Sequence, residues 1–337
     1  MRIAWYDTPG PAAEVFVIGD VDRPVPRSGE VLVRMLASGV NPADVRRRAG
    51  WSGAGFRRSD RRIIPHSDGA GVVEGVGDGV DKSWVSRRVW LWNAGGASFY
   101  GFPDEGTDTG TAAEYVALPV RFVADLPDAA DFDSGACLGG PACTAHFVVF
   151  ADGDVKGATI LVQGGTGAVG ELAVQLAAHA GATVIATVSS SEKAERARAA
   201  GARHVIDRTQ EDVAAAVLAI SPNGVDRIIE VEFGMNVATD AKIIKPNGRI
   251  ASYSSPTVRE PMLPYYELQR KGITVRFVQA YILPPADRKR SIEGVNRALR
   301  DRRLHPTIAA RFPLADIAKA HALVESHQAI GNVVLEI

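Results

Sequence analysis

ILVQGGTGAVGELAVQLAAHAGATVIATV, residues 160–188, decides the reading of this chain. An apolar, β-branched run ends at Gly164, and Gly165-Thr166-Gly167-Ala168-Val169-Gly170 follows. Apolar residues at 172, 173, 176 and 177 then recur at the spacing of one helix face, before a second apolar run begins near Thr183. Strand, Gly-x-Gly-x-x-Gly turn, helix and second strand are the parts of a dinucleotide-binding βαβ unit. Gly165 and Gly167 permit a tight turn and close backbone approach to a pyrophosphate. Gly170 lets helix and strand pack closely, and the helix N-terminus offers free N–H groups and a partial positive charge.

An NADH site carries an acid near the end of the second strand, where it accepts hydrogen bonds from the adenosine ribose. Here that stretch is Thr187-Val188-Ser189-Ser190-Ser191-Glu192-Lys193. Hydroxyls and a lysine suit a 2′-phosphate, and Arg208, at the end of the third strand, adds a second positive group. Glu192 opens a helix, where the dipole favours an acid. The expected cofactor is therefore NADPH.

Working outward, strands are predicted at 159–164, 183–189, 204–208, 226–232, 248–254 and 273–279, with helices at 168–180, 192–200, 209–219 and 236–245. Six strands with intervening helices make one doubly wound parallel sheet. Residues 1 to about 120 read instead as short β segments with turn punctuation, such as EVLVRMLASGV and GAGVVEGVGDGV. Pro284-Pro285 marks a boundary, after which the tail either caps the sheet domain or returns to the first.

A chain of 337 residues is long enough for about two domains. With 46% apolar and 23% charged residues it is neither a disordered chain nor a disulfide scaffold. Its 38 basic and 39 acidic residues leave a formal charge of −1, so there is no whole-protein attraction to nucleic acid or an anionic membrane. Cys137 and Cys143 are the only cysteines, which favours a reducing compartment. No run of 18 apolar residues and no leader pattern is present, and the expectation is a cytoplasmic protein without membrane contact. One local exception stands out: Arg46 to Arg62 holds seven arginines against the single acid Asp60, together with Trp51 and Phe56, a pattern able to bind nucleic acid.

GVNPADVRRRAG (39–50), IPHSDGAGVVEGVGDGV (64–80), GTAAEYVALP (110–119), GACLGGPACTAHFVVF (135–150), GARHVIDR (201–208) and GNVVLEI (331–337), taken with the phosphate loop, resemble the quinone oxidoreductase (zeta-crystallin-like) branch of the medium-chain dehydrogenase/reductase superfamily. The resemblance implies an α/β chain with a GroES-like β-barrel catalytic domain, residues 1–120 and 284–337, and a Rossmann NADPH-binding domain, residues 121–283. It implies a homodimer paired through ITVRFVQ, and hydride transfer to a quinone or related conjugated carbonyl, with enone reduction as the alternative. Zinc-dependent relatives place a Cys where this chain has Asn41, and a His-Glu pair where it has Ser67-Asp68, so no metal is expected. His66 stands at the usual Gly position and reads as a turn residue.

Carried over by position, the resemblance implies that Asn41, Thr144, Phe277, Val278 and Gln279 line the nicotinamide side. Thr166, Gly167, Ala168 and Val169 would meet the pyrophosphate. Ser189, Ser190, Lys193 and Arg208 would meet the adenosine phosphate, and Gly234, Tyr253, Ser254, Ser255 and Asn332 would complete the cradle. Relatives carry a pocket Tyr two residues after the Gly of RAG, where this chain has Trp51-Ser52. Serine is a poor acid, which weakens the case for enone reduction, and Trp51 offers a flat face to an aromatic substrate.

Overall fold

The computed structural model describes residues 1–50, 62–94 and 109–337. They form two units, Met1–Cys143 with Tyr281–Ile337, and Thr144–Ala280. In chain order the first unit holds β1 (Arg2–Trp5), α1 (Ala12–Val15), β2 (Val17–Asp20), β3 (Glu30–Val40), α2 (Pro42–Arg48), β4 (Asp68–Val76), β5 (Arg88–Leu91), β6 (Tyr115–Pro119), β7 (Val123–Asp125) and α3 (Phe132–Gly135). The middle of the chain supplies α4 (Cys143–Phe150), β8 (Thr159–Val162), α5 (Ala168–His179), β9 (Thr183–Val188), α6 (Ser191–Ala199), β10 (His204–Asp207), α7 (Val213–Ile220), β11 (Val225–Glu230), α8 (Phe233–Ile243), β12 (Ile244–Ser252), α9 (Tyr265–Arg270) and β13 (Thr274–Phe277). It ends with α10 (Pro285–Arg300), β14 (Ile308–Pro313), α11 (Ile317–Glu325) and β15 (Asn332–Glu336).

The second unit is a six-stranded parallel sheet in the order β10-β9-β8-β11-β12-β13. That is the doubly wound order of a Rossmann sheet, whose strand sequence reverses between β8 and β11. Its strands are apolar nearly throughout because helices cover both faces. Leu161, Ile185, Ile206, Ile228 and Ile250, one from each of five neighbouring strands, meet Val217, Phe233 and Val237 in one buried cluster. Helix starts follow local chemistry. Asp207 accepts from the N–H and hydroxyl of Thr209, which makes a turn there, and the Asp212 carboxylate takes the N–H of Ala215 at 2.8 Å. The helix expected from 209 therefore begins at Val213.

The first unit is built on β3, whose 11 residues pair with β4, β6 and β15. The sheet runs β14-β15-β3-β4-β5-β7, antiparallel except for β14 beside β15. Val333–Glu336 pair with Ala37–Val40, so the tail returns to the first unit. The expected boundary at 120/121 is corrected. Residues 121–143 belong to the first unit, where Val123–Asp125 pair antiparallel with Val89–Leu91. A short apolar run reads alike in either domain, and its hydrogen-bonded neighbour decides.

Candidate functional site

The phosphate loop is made by backbone geometry. Gly164 has φ +69°, a conformation that a side chain strains, and Gly165 N–H donates to Thr187 O at 3.0 Å, which turns the chain under the end of β9. A Cβ on Gly170 would lie 2.2 Å from Gly164 O, so only glycine lets α5 start this close to the loop. Gly167 occupies the N-cap position of α5 and no side chain caps the helix, leaving the first-turn N–H groups of Ala168, Val169 and Gly170 aligned for an anion. Thr166 is buried beside them.

At the end of β9, Lys193 Nζ donates to Ser189 Oγ at 3.3 Å, and Ser190 Oγ caps α6 by accepting Lys193 N–H at 3.3 Å. Ser189, Ser190 and Lys193 are thus neighbours at the end of β9. Arg208 is exposed, and its N–H donates to Val188 O at 3.0 Å. At the C-terminal ends of β12 and β13, Tyr253, Ser254, Ser255, Phe277, Val278 and Gln279 line one cavity of about 490 Å³. Ser255 Oγ accepts Gly234 N–H at 2.9 Å and donates to Val258 O. Phe277 packs edge-on against Phe233. Thr144 is buried at the start of α4.

The residues that sequence reasoning missed lie just beneath this surface. Gln163, Thr187, Glu230 and Asp240 are buried polar groups linked by hydrogen bonds. A signal was present: Asp240 shares the core-facing stripe of α8 with Phe233, Val237 and Ala241, where an ionisable residue is costly unless it is used.

In the first unit, Asn41 precedes α2 and its Nδ2 donates to Asp68 Oδ2 at 2.6 Å; Gly140 N–H donates to the same oxygen at 2.7 Å. Asp44 Oδ2 accepts Asn41 N–H at 2.9 Å. Burial pushes both Asp44 and Asp68 up to about 7, against the hydrogen bonds that favour their charged forms. His66 has φ +75°, as expected of a turn residue at a glycine position. Behind it runs a directional relay. Thr111 donates to Asp68 O at 2.6 Å, so Ser38 donates to Thr111 at 2.7 Å and His66 Nδ1–H donates to Ser38 at 2.8 Å. His66 Nε2 then accepts from His321 Nε2–H at 2.9 Å. Burial drives His66 down to about 3 and His321 well below its usual value.

Asn332, at the start of β15 in the first unit, donates through Nδ2 to Thr307 O at 3.1 Å. Trp51 and Ser52 lie outside the described residues, as does the basic stretch from 51 to 61. Within that stretch's described flanks Arg48 is not available to a nucleic acid: it is buried, donates to Gly10 O at 2.5 Å and pairs with Glu325. Arg62 lies over the ring of Trp5 at 4.5 Å. No helix among the described residues is long and apolar enough to cross a membrane.

Comparison with known proteins places these features. Residues 27–128 match the alcohol dehydrogenase GroES-like domain, and residues 168–292 match the zinc-binding dehydrogenase family. The chain is 27% identical to a quinone oxidoreductase of Sus scrofa, covering 94% of this chain and 92% of that one. It is 29% identical to a 2-haloacrylate reductase of Burkholderia sp, covering 95% and 94%. Among solved structures it is similar to an NAD-dependent alcohol dehydrogenase, at 26% identity, TM-score 0.88 and full coverage of both chains. It is also similar to a mycobacterial protein solved with NADPH, at 25% identity, TM-score 0.86 and full coverage of both.

Proposed function

We propose, for a chain that belongs to the quinone oxidoreductase branch of the medium-chain dehydrogenase/reductase superfamily and is accordingly an oxidoreductase enzyme, that it reduces a quinone or related conjugated carbonyl with NADPH and without a metal. The observation that carries the cofactor choice is Lys193 Nζ beside the Ser189 hydroxyl at the end of β9, with Ser190 Oγ on the backbone N–H of the same lysine. A charge-assisted contact there suits a 2′-phosphate. The related structure solved with NADPH supports the same reading.

The metal-free reading rests on the donor set. Asn41 spends its amide N–H on Asp68, Asp68 Oδ2 takes two N–H donors, and both ring nitrogens of His66 are engaged. These side chains do not fit a zinc ion, which needs lone pairs from three or four converging ligands. Among the described residues no group of three His, Cys, Asp or Glu is placed to hold a metal.

When bound, the dinucleotide supplies the hydride. The chain's part is positioning: in the second unit the first-turn N–H groups of α5 would hold the pyrophosphate and the cavity at the ends of β12 and β13 would receive the nicotinamide side, while within the first unit Asp68 fixes the Asn41 carboxamide. The Burkholderia relative, named as a 2-haloacrylate reductase, favours reduction of an activated alkene as the second reading. Unpaired, buried Cys137 and Cys143 fit a reducing cytoplasm, and β13, the edge strand of its sheet, is the proposed dimer seam.

The test follows NADPH and NADH oxidation side by side, with chelator, using a quinone panel and an α,β-unsaturated ketone. Turnover with NADPH and quinones is expected; turnover with the enone alone selects the second reading, and dependence on added zinc overturns the metal-free one. Lys193→Ala is expected to weaken NADPH by about 10- to 150-fold, the loss of one charge-assisted contact, and to leave NADH nearly unchanged. Equal losses for both nucleotides would remove the 2′-phosphate assignment.

A further inference from the structure

Two carboxyl groups inside the second unit have no part in the chemistry above. Glu230 ends β11 and Asp240 lies in α8, and each is 0% exposed. Their surroundings assign the hydrogens. Gly164 N–H donates to Thr187 Oγ1 at 3.0 Å, so the threonine's own hydrogen goes to Gln163 Oε1 at 2.9 Å. The amide end of Gln163 therefore faces Asp240, with Nε2 at 3.3 Å from Oδ1. Asp240 Oδ2 meets no donor, and its neighbouring carboxyl is Glu230. Glu230 is already supplied with donors: the N–H of Glu232, and Asn236 Nδ2 at 3.1 and 3.2 Å from its two oxygens. Tyr253 also feels its charge, and no cation is among the groups acting on either acid.

We propose that Asp240 is a neutral carboxylic acid donating from Oδ2 to the Glu230 carboxylate, and that it is thereby a positioning residue for the phosphate loop. The shared hydrogen ties α8 to the end of β11, α8 holds Gln163, Gln163 holds Thr187, and Thr187 holds the N–H of Gly164. The role in the loop rests on the dinucleotide-binding reading; the protonation state does not. An orphaned buried oxygen is costly, and one proton removes that cost and the repulsion between two buried charges together. Burial and that repulsion push Asp240 well above the usual carboxylate range and raise Glu230 as well. Because the folded pair holds a proton that the unfolded chain gives up in the ordinary carboxylate range, its contribution to stability is complete below about pH 4 and is lost progressively as pH rises from there through the pair's titration. The ionised pair also sets a second negative charge behind a loop that receives an anion.

The experiment has two arms. Infrared spectra of the nucleotide-free wild type minus Asp240→Asn at neutral pH are expected to show the carbonyl stretch of a protonated carboxylic acid; no such band overturns the shared proton. NADPH titrations across neutral to alkaline pH are expected to show wild-type affinity falling about tenfold, with Asp240→Asn restoring near-neutral affinity and flattening the profile, since its amide donates to Glu230. Asp240→Leu is expected to be about tenfold weaker at every pH. An Asp240→Asn profile as steep as wild type overturns the positioning role. A wild type that shows the band and binds no nucleotide overturns the dinucleotide reading and the positioning role together, and leaves the shared proton standing.

Discussion

The phosphate loop of the second unit and the polar cluster around Asp68 in the first are built from different materials. The loop is contiguous backbone, residues 164–170, and its geometry follows from where a Cβ fits. The Asp68 cluster is assembled from residues 38, 41, 66, 68, 111, 140 and 321, which are far apart in the chain and held by side-chain hydrogen bonds. A backbone site fails sterically, at one position and all at once. A side-chain site fails by leaving buried groups unpaired, and its strength changes with pH.

The largest effect is expected from Gly170→Ala, whose new Cβ meets the backbone oxygen of Gly164 at 2.2 Å, a neighbour unable to rotate away. Overpacking of about 2–3 kcal/mol is expected to weaken the pyridine nucleotide by at least about 30-fold in a fluorescence titration. Gly75→Ala, in β4 and away from the loop, is the control, because its Cβ would approach nothing nearer than Leu32 Cβ at 3.8 Å, and it is expected to bind within about threefold of wild type. If both variants bind alike, the loop is not held by backbone sterics and the contrast between the two regions collapses.

Asp68→Ala comes next. It strands the Asn41 amide and the Gly140 N–H in a buried site, at a cost of about 1–3 kcal/mol in urea unfolding. Nucleotide affinity is expected to hold within about twofold while turnover falls. Asp68→Asn, which mimics the protonated acid, is expected to cost less than about 1 kcal/mol.

The smallest effect is a change of slope. His66 is depressed to about 3, so its contribution is complete above the ordinary imidazole value and is lost as pH falls toward 3. Asp44 and Asp68, raised to about 7, act in the opposite sense: their contribution is complete below about pH 4 and fades as pH rises through 7. His321→Leu removes one imidazole that must gain a proton on unfolding. It is expected to flatten the loss of stability between pH 6.5 and 5 by up to about 1.4 kcal/mol per pH unit, whatever it costs at pH 7. An unchanged slope would mean that His321 is already charged in the folded protein.

Much of the second unit was legible in the chain because its signals are local. The glycine spacing in 164–170, the apolar helix face after it and the Ser189-Ser190-Lys193 run each act within a few residues, and steric limits on the backbone leave few conformations that satisfy them. The sequence alone therefore determined a Rossmann sheet, its phosphate loop and the group of residues at the end of β9. Only the tertiary structure decided that residues 121–143 join the first unit, that Arg48 is buried against Glu325, that His66 reaches His321, and that Asp240 meets Glu230 behind the loop. Those outcomes depend on which distant group supplies a buried donor, acceptor or charge with its partner, a matter of proximity in space that the spacing of residues along the chain does not encode.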